Sequence, residues 1–554
     1  MSQERRGLGA APGVAVGIPW VHRPVARGST ASASIDDAAA TAADELGRLA
    51  DRLRAGGRDD EAAILDAQAL MAADEELLGM ARDRSAAGGD LVEAMLAAGD
   101  AVASVFAAMD DELLAARAAD VRDVAGRIAR HLGGVSAPRL DVRSIVVAID
   151  LPPSITVELD RDLLAGIALE GGSPTSHAAI LARALGIPAV VGVRGLLDEV
   201  EGASCLAVDG ASGRVVIDPD PATRAELDAA AAEATSRRVA DAAFADRPLT
   251  TSDGHRVLCF ANVAEPAEIE AAMAAGAEGI GLFRTEFAFA GRTRPPSEDD
   301  QAEAYERVLR AAGDAPVVMR MADVGGDKPL PYLPIQPEEN PFLGVRALRL
   351  DDLHPDLFPT QLVAMLRASA RAERAVSIMA PMVADADDVS RVRELVAAAH
   401  AAVPDAPRPR VGIMIEIPSA ALLADQLAEM VDFMSIGTND LTQYLLAADR
   451  TNPALAGRQD GLHPAVLRAV ARVVEGAARA GGRCEVAVCG ELAGDPAGAL
   501  ILVGLGVEEL SMGPGAFGAV KRAMASRTRE ELATIASRAL QLRTAAEVRA
   551  MVAP

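Results

Sequence analysis

Eight short apolar runs punctuate the last 300 or so residues of this 554-residue chain, each separated from the next by a helix-like stretch. They read VLCFANV (257–263), GIGLFRT (279–285), PVVMRMA (316–322), VSIMAPM (376–382), VGIMIEIP (411–418), FMSIGTND (433–440), VAVCGELA (486–493) and ELSM (509–512). Runs this short and this apolar suit strands buried on both faces, and parallel strands need a crossover helix between them. Eight repeats predict a (β/α)8 barrel of the TIM type over 250–554. Chemistry in that architecture sits at the C-terminal ends of the strands. Several runs end there in polar residues: Asn262, Arg284, Arg320, Glu416, Asn439 with Asp440, and Cys489. Barrel stability alone does not call for them.

The chain is too long for one ordinary domain. Residues 8–34 read as short strands with Gly/Pro turns. From Ile35 to Leu132 apolar residues fall at i, i+3, i+4 spacing, interrupted at Gly56-Gly57, Gly88-Gly89 and Gly133-Gly134. That pattern predicts a bundle of about four helices. Strand-like runs then return: SIVVAID (144–150), GIALE (166–170), PAVVGV (188–193), CLAVDG (205–210) and RVVIDP (214–219), with one helix starting near Ser176. The expected organisation is multidomain α/β. A small α/β domain (1–34 with 135–220) carries the bundle (35–134) as an insert, and a linker helix (221–249) leads to the barrel (250–554).

Composition excludes several classes. The formal charge of −26 argues against a nucleic-acid binder or docking on anionic lipid. Lys328 and Lys521 are the two lysines beside 52 arginines, which makes a Lys within a motif notable. Aromatics are 3%, so the cores must be built from Ala, Val, Leu and Ile. Cys205, Cys259, Cys484 and Cys489 form neither a disulfide framework nor a paired CxxC zinc pattern, which fits a reduced, cytoplasmic setting. The start, MSQERRGLGAAPG, lacks the apolar core of a signal peptide, and no uncharged apolar stretch is long enough to span a membrane.

The chemistry-bearing residues fall in two places. In Gly172-Ser173-Pro174-Thr175-Ser176-His177 a turn leads into the first helical turn, where orphan N–H groups favour anions. His177 can be a phosphoryl nucleophile there, with Thr175 and Ser176 capping; a plain N-cap with an exposed His carries about equal weight. At the barrel mouth, Arg284, Arg320 and Arg450 suit a phosphate plus a carboxylate. Any one of them alone is better read as a surface ion pair. Glu416 and Asp440, at consecutive strand ends, are a Mg²⁺ arrangement or acids paired with Arg. Asn439 can meet a phosphate or metal, or simply form a turn. Gly325-Gly326-Asp327-Lys328 lets backbone approach a ligand, or is an ordinary tight turn. Cys489, taken as exposed near Arg groups, can exchange a proton with carbon; a buried small hydrophobe is its commoner role. Arg346 and Glu491 are further mouth candidates. Cys484 is given no role, and Trp20 is the single tryptophan.

These residues resemble the phosphoenolpyruvate-utilising enzymes, and within them the Enzyme I branch of the phosphotransferase system (phosphoenolpyruvate–protein phosphotransferases). The likeness runs in order over roughly 8–545: GGSPTSHAAILARALGIPAVVG, GIGLFRTEF, MRMADVGGDKPLPY, NPFLGVRALR, GIMIEIPSA, SIGTNDLTQYLLAADR and CGELAGD. The resemblance implies a phosphohistidine at His177 on a swivelling domain, with the 221–245 segment as hinge. It implies Arg284, Arg320, Asn439, Asp440 and Arg450 as phosphoenolpyruvate ligands. Glu416 and Asp440 are implied as Mg²⁺ ligands and Cys489 as the proton donor that yields pyruvate. It also implies HPr as acceptor on the helical insert, a role in sugar uptake, and a homodimer through the barrel.

Two positions depart from the pattern: Ser173 replaces a usual Gly or Ala, and Gln68 replaces a common His in the docking helix. A pyruvate phosphate dikinase or phosphoenolpyruvate synthase would need an ATP-binding domain, and no GxxxxGK[ST] motif occurs. A nitrogen-branch Enzyme I would carry an added N-terminal sensory domain, and strand motifs begin too early for one. A non-catalytic regulatory homologue would be expected to have lost some of the mouth residues.

Overall fold

The computed structural model describes residues 3–23, 33–55, 59–107, 112–135, 139–172, 178–179, 182–183, 186–290, 292, 294–326, 330–336 and 338–552. It divides at Arg237/Arg238 into two units.

In the first unit, strands β1 (Gln3–Arg6), β2 (Leu8–Ala11), β3 (Val14–Val21), β4 (Ser144–Ala148), β5 (Leu164–Leu169), β6 (Ala189–Val191), β7 (Leu206–Asp209) and β8 (Arg214–Ile217) form one mixed sheet. Its order is β1-β8-β7-β3-β4-β5-β6-β2. Alternate residues of β4 feed two cores: Val146 and Ala148 pack on one face, Ile145 and Val147 on the other. This explains why its sequence reads as a continuous apolar run. Strand β1 lies before residue 8, where no strand was expected; its four residues QERR are largely exposed.

The insert consists of five named helices, not about four: α1 (Ile35–Ala55), α2 (Asp59–Ala72), α3 (Glu75–Ala86), α4 (Leu91–Ala107) and α5 (Glu112–Leu132). The additional break falls at Asp74, whose carboxylate accepts from the N–H groups of Glu76 and Leu77 and so starts a new helix without a glycine signal. Leu46, Leu65, Met95, Ile128 and Leu132 fill the bundle core. A Cβ on Gly99 would lie 2.3 Å from that of Ala125, so glycine sets the close approach of α4 and α5. Gln68 is fully buried, its amide Nε2 donating to Asp120 at 3.0 Å. It therefore offers no docking surface, and its difference from the family bears on the bundle's interior. Arg127, also buried, ties α1 to the sheet domain through Glu45 (2.9 Å) and Glu158.

The helix Pro221–Ala242 crosses the division between units. In the first unit Leu227 packs with Ala207 and Val216. In the second, Asp241 pairs with Arg522 at 2.6 Å, and Lys521 donates to Ala245 O at 2.6 Å and Gly276 O at 2.9 Å. One of the two lysines is thus a buried staple at the barrel.

The second unit is the expected barrel. Strands β9 (Leu258–Val263), β10 (Ile280–Arg284), β11 (Val317–Arg320), β12 (Ser377–Ala380), β13 (Arg410–Ile415), β14 (Phe433–Ile436), β15 (Glu485–Val488) and β16 (Glu509–Met512) are all parallel and close in sequence order. Leu282, Val318, Met379, Met414, Phe433 and Cys489 form a cluster of their own. Gly412 packs against the Phe433 ring; a Cβ there would come within 2.4 Å of it, so the ring would have to shift. Among the described residues no helix is long and apolar enough to cross a membrane.

Candidate active site at the barrel mouth

The strand ends gather the residues singled out in the barrel sequence. Arg284 ends β10 and Arg320 ends β11; Glu416 follows β13 by one residue and Cys489 follows β15 by one. Asn439 and Asp440 do not lie in a turn. They occupy the first turn of a helix, Thr438–Leu446, that starts two residues past β14.

A chain of alternating charges links these positions. Glu286 Oε1 accepts from Arg320 Nη2 (2.9 Å) and from the Asp323 N–H (2.7 Å), and Arg320 Nη1 lies 3.1 Å from Asp323 Oδ2. Arg346 grips Asp323 with two 2.8 Å bonds and reaches both Asp440 oxygens at 3.3 Å. Arg450 lies 3.6 Å from Asp440. Burial alone would make the Arg320 and Arg346 guanidiniums easier to deprotonate; their carboxylate neighbours reverse this and hold both firmly charged. Arg346, expected at the mouth as a substrate ligand, is 1% exposed and committed to two carboxylates. Its place in the fold is that of Asp440's holder.

Among the described residues of the mouth, Arg284 and Arg320 retain capacity for a ligand. Arg284 is exposed and makes no hydrogen bond or ion pair to the described residues. The Nε of Arg320 is buried without a partner. A buried donor without an acceptor is uncommon, and at a mouth of this kind it points to a group that arrives from solution. A cavity of about 480 Å³ opens beside Arg284, lined also by Asn262, Glu268, Gly490 and Glu491.

Glu416 is 1% exposed, and its Oε1 accepts from the Met382 N–H at 2.7 Å. Met382 holds φ = 57°, a left-handed conformation unusual for a side chain of its size, which aims that N–H at the carboxylate. Burial, then the charges of Asp440 and Asp323, push the Glu416 carboxyl up to about 8. A carboxylate pair that repels in a dry site is a donor set fit for a hard cation. Gly437 packs close to Glu416: a Cβ there would sit 3.0 Å from Met414 Sδ and 3.2 Å from Glu416 Oε2. Among the described residues no three His, Cys, Asp or Glu side chains gather closely enough to hold a metal by themselves. A cation here would take Glu416 and Asp440 and complete its shell with oxygens of substrate and water.

Cys489 is not exposed, as the sequence suggested; it is 3% exposed. Burial pushes its thiol up to about 11, with Ser435 opposing, the Glu416 charge adding to the rise, and Arg320 and Arg284 opposing less. Near neutral pH it is a protonated acid and not a nucleophilic thiolate. Glycine after it is obligatory, because a Cβ on Gly490 would lie 1.9 Å from Thr438 Oγ1. The next residue, Glu491, donates its N–H to Asn439 Oδ1 at 2.9 Å.

Sequence reasoning missed the acids Glu286 and Asp323 and the buried polar group behind them. Gln361 Nε2 donates to Thr285 Oγ1 and Tyr305 Oη at 3.0 Å each, and its Oε1 accepts from the Ala322 N–H at 2.9 Å. Thr285 in turn donates to Arg320 O at 2.7 Å. This group ties the ends of β10 and β11 together. Glu286 and Asp323 lie inside RTEF and MADVGGD, and the demand of buried guanidiniums for counter-charges was the available signal. Gln361 left no such trace.

Gly325 and Gly326 both have positive φ, 95° and 63°, and a Cβ on Gly325 would meet Val345 O at 2.5 Å. Asp327 and Lys328 lie outside the described residues, as do Ser173, Thr175, Ser176 and His177. The described residues nearest the histidine are Gly172, at φ = 81°, and helical, buried Ala178 and Ala179.

Comparison with known proteins converges on one family. Residues 238–529 match the PEP-binding domain of PEP-utilising enzymes, 140–213 their mobile domain and 6–117 their N-terminal domain. A phosphoenolpyruvate-protein phosphotransferase of Geobacillus stearothermophilus is 39% identical over 562 residues, covering 98% of this chain and 96% of that protein. A multiphosphoryl transfer protein of Xanthomonas campestris pv. campestris is 42% identical over 566 residues, 99% of this chain but 66% of its own length. One of Rhodobacter capsulatus is 45% identical over 452 residues, 81% of this chain and 54% of its own. The chain thus spans two thirds or less of those two relatives and nearly all of the first. With three domains matched in order and the barrel-mouth charges in place, the chain belongs to the PEP-utilising enzymes.

Proposed function

We propose that this chain takes the phosphoryl group of phosphoenolpyruvate onto its own His177, releases pyruvate and passes the group to the carrier protein HPr. It would thereby start phosphotransferase sugar uptake. The observation that carries the reading is the barrel mouth, where exposed Arg284 and the orphan Nε of Arg320 flank buried acids and a protonated thiol.

The substrate's phosphate and carboxylate meet Arg284 and Arg320, while Arg450 and Asn439 approach from the β14 side. Arg346 stays paired and keeps Asp440 in place. Glu416 and Asp440 would hold Mg²⁺, which when bound spreads the charge of the phosphoryl group in flight. His177 attacks phosphorus in line, the bridging P–O bond breaks, and the electron pair leaves on enolpyruvate. The Cys489 thiol gives its proton to C3, the enolate becomes the ketone, and the thiolate regains a proton from solvent. The small domain must then carry His177 from the mouth to HPr, a hinge motion about the 221–245 segment. HPr docks on the helical insert, the barrel mediates a homodimer, and the chain works in the cytoplasm.

Labelled phosphoenolpyruvate with Mg²⁺ tests this. Acid-labile, alkali-stable label on the wild type, absent from His177→Ala and passed on to HPr, is the expected result. Label that never reaches HPr would move the acceptor elsewhere. An unlabelled, folded wild type would overturn the reading.

A further inference from the structure

Asn262 carries no role in the phosphoryl chemistry above, yet the fold holds it in one orientation. It lies in β9, separated by β16 alone from β15, which Cys489 follows. Its Nδ2 donates to Cys489 O at 2.8 Å, and its Oδ1 accepts from Ser511 Oγ at 2.7 Å. A carbonyl can only accept, so the amide cannot flip without facing oxygen to oxygen. Ser511 is fully buried in β16, the strand beside β9, and fixes the amide from behind.

The Cys489 backbone is thereby held from two sides. Its N–H donates to Ile436 O at 3.1 Å, on β14, and its C=O is held by Asn262, on β9. The residue that follows is glycine, the one type that lets the Cys489–Gly490 peptide rotate freely. The loop beyond is held by the Ala493 N–H on Gly490 O and by Asn439 on the Glu491 N–H, and the Asn262 hydrogen bond holds the Cys489 carbonyl itself. Loss of the Asn262 bond would free the Cys489 carbonyl and loosen the backbone on which the thiol is mounted, two residues before Glu491, whose N–H is bonded to Asn439. Asn262 also borders the cavity beside Arg284, so the clamp lies at the edge of the space a substrate would enter.

We propose that Asn262 is a positioning residue for proton transfer: it fixes the Cys489 peptide so that the thiol faces C3 of the enolate. This rests on Cys489 being the proton donor. In the step positioned, the S–H bond breaks, its proton forms a C–H bond at C3, and the enol C=C electrons supply that bond. The C2–O bond becomes a carbonyl, and the thiolate takes a proton from water. Phosphoryl transfer precedes this step and uses other groups, so loss of the clamp separates the two events in time.

The test is a single turnover of the full chain with phosphoenolpyruvate and Mg²⁺, following label on protein and ketonic pyruvate in parallel. Four variants are compared: Asn262→Leu, Asn262→Asp, Ser511→Ala and Cys489→Ala. Ser511 does not line the cavity, so Ser511→Ala frees the amide while leaving the mouth intact, and it covers the case in which an Asn262 variant fails to fold. Protein labelling in Asn262→Leu and Asn262→Asp gives each variant its own reference rate, since Asn262 borders the cavity beside Arg284. Ketonic pyruvate is expected to lag it by about tenfold or more, as in Cys489→Ala, because general acid catalysis contributes at least that much. Ser511→Ala is expected to show a smaller lag in the same direction. A residue that only stabilised the fold would lower the melting temperature and slow both readouts together. Asn262 and Ser511 variants without a lag, beside a lagging Cys489→Ala, would overturn the positioning role alone. A Cys489→Ala chain without a lag would overturn the acid assignment and this proposal with it, while wild-type labelling would leave the phosphoryl-transfer reading standing.

Discussion

Replacing Arg346 by Met tests whether the mouth is a charge network or a set of independent ligands. The guanidinium is buried and bridges Asp323, with two 2.8 Å bonds, and Asp440, at 3.3 Å. Methionine fills similar volume but leaves both carboxylates short of a counter-charge beside Glu416. Breaking a buried pair from one side costs about 3–5 kcal/mol, because the surviving charge stays desolvated. Asp323 keeps Arg320 at 3.1 Å and Asp440 keeps Arg450 at 3.6 Å, so the lower end, about 3 kcal/mol, is expected. Urea unfolding of the second-unit transition, followed by circular dichroism, measures it. Adding Asp323→Asn removes the most deeply stranded charge, so the double variant should be more stable than Arg346→Met alone, by about 1 kcal/mol or more. Arg346→Lys should rescue poorly, since a point charge cannot hold two carboxylates in the forked geometry. A loss below about 1 kcal/mol in Arg346→Met, or strict additivity with Asp323→Asn, would refute the network account.

At the opposite end of the barrel, Glu509 opens β16, and burial followed by the charge of Glu485 pushes its carboxyl from 4.5 up to about 7, with Arg410 opposing. An acid raised in the folded state binds more protons folded than unfolded, so its contribution is most favourable below about 4.5 and is lost as pH rises through about 7. Glu509→Gln should remove that slope and gain up to about 3 kcal/mol at pH 8 in urea titrations; pH profiles parallel to wild type would count against it. Gln361→Leu strands the Ala322 N–H and two hydroxyl partners and should lower stability by about 2–4 kcal/mol while raising KM for phosphoenolpyruvate. Thr285→Ser keeps the hydroxyl that reaches Arg320 O, and Thr285→Val does not; equal KM values in the two would show that this group does not set the arginine-bearing strand ends.

The barrel was legible because its signal is local. Each strand is a short apolar run, each crossover an amphipathic stretch, and parallel pairing buries both faces, so ELSM at 509–512 is readable from sequence alone and forms β16. The mouth candidates were legible for the same reason: polar residues at the ends of apolar runs have few reasons to be there. Tertiary structure decided how those residues divide the work. Arg284 and Arg346 look alike in sequence, but one is exposed and the other sealed between two acids, a difference set by elements distant in the chain. Cys489 looked exposed because the motif around it is polar. Its own side chain turns inward to Met379 and Met414, and that burial makes it an acid. Asp74 shows the limit at small scale: a capping carboxylate ends one helix and begins another within a stretch whose apolar spacing does not change. Apolar periodicity is written in neighbours a few residues apart and survives in the sequence. Charge pairing, the direction of an amide such as Asn262 and the protonation of a buried group depend on distant partners, 249 positions away for Asn262 and Ser511, brought close only when the chain folds.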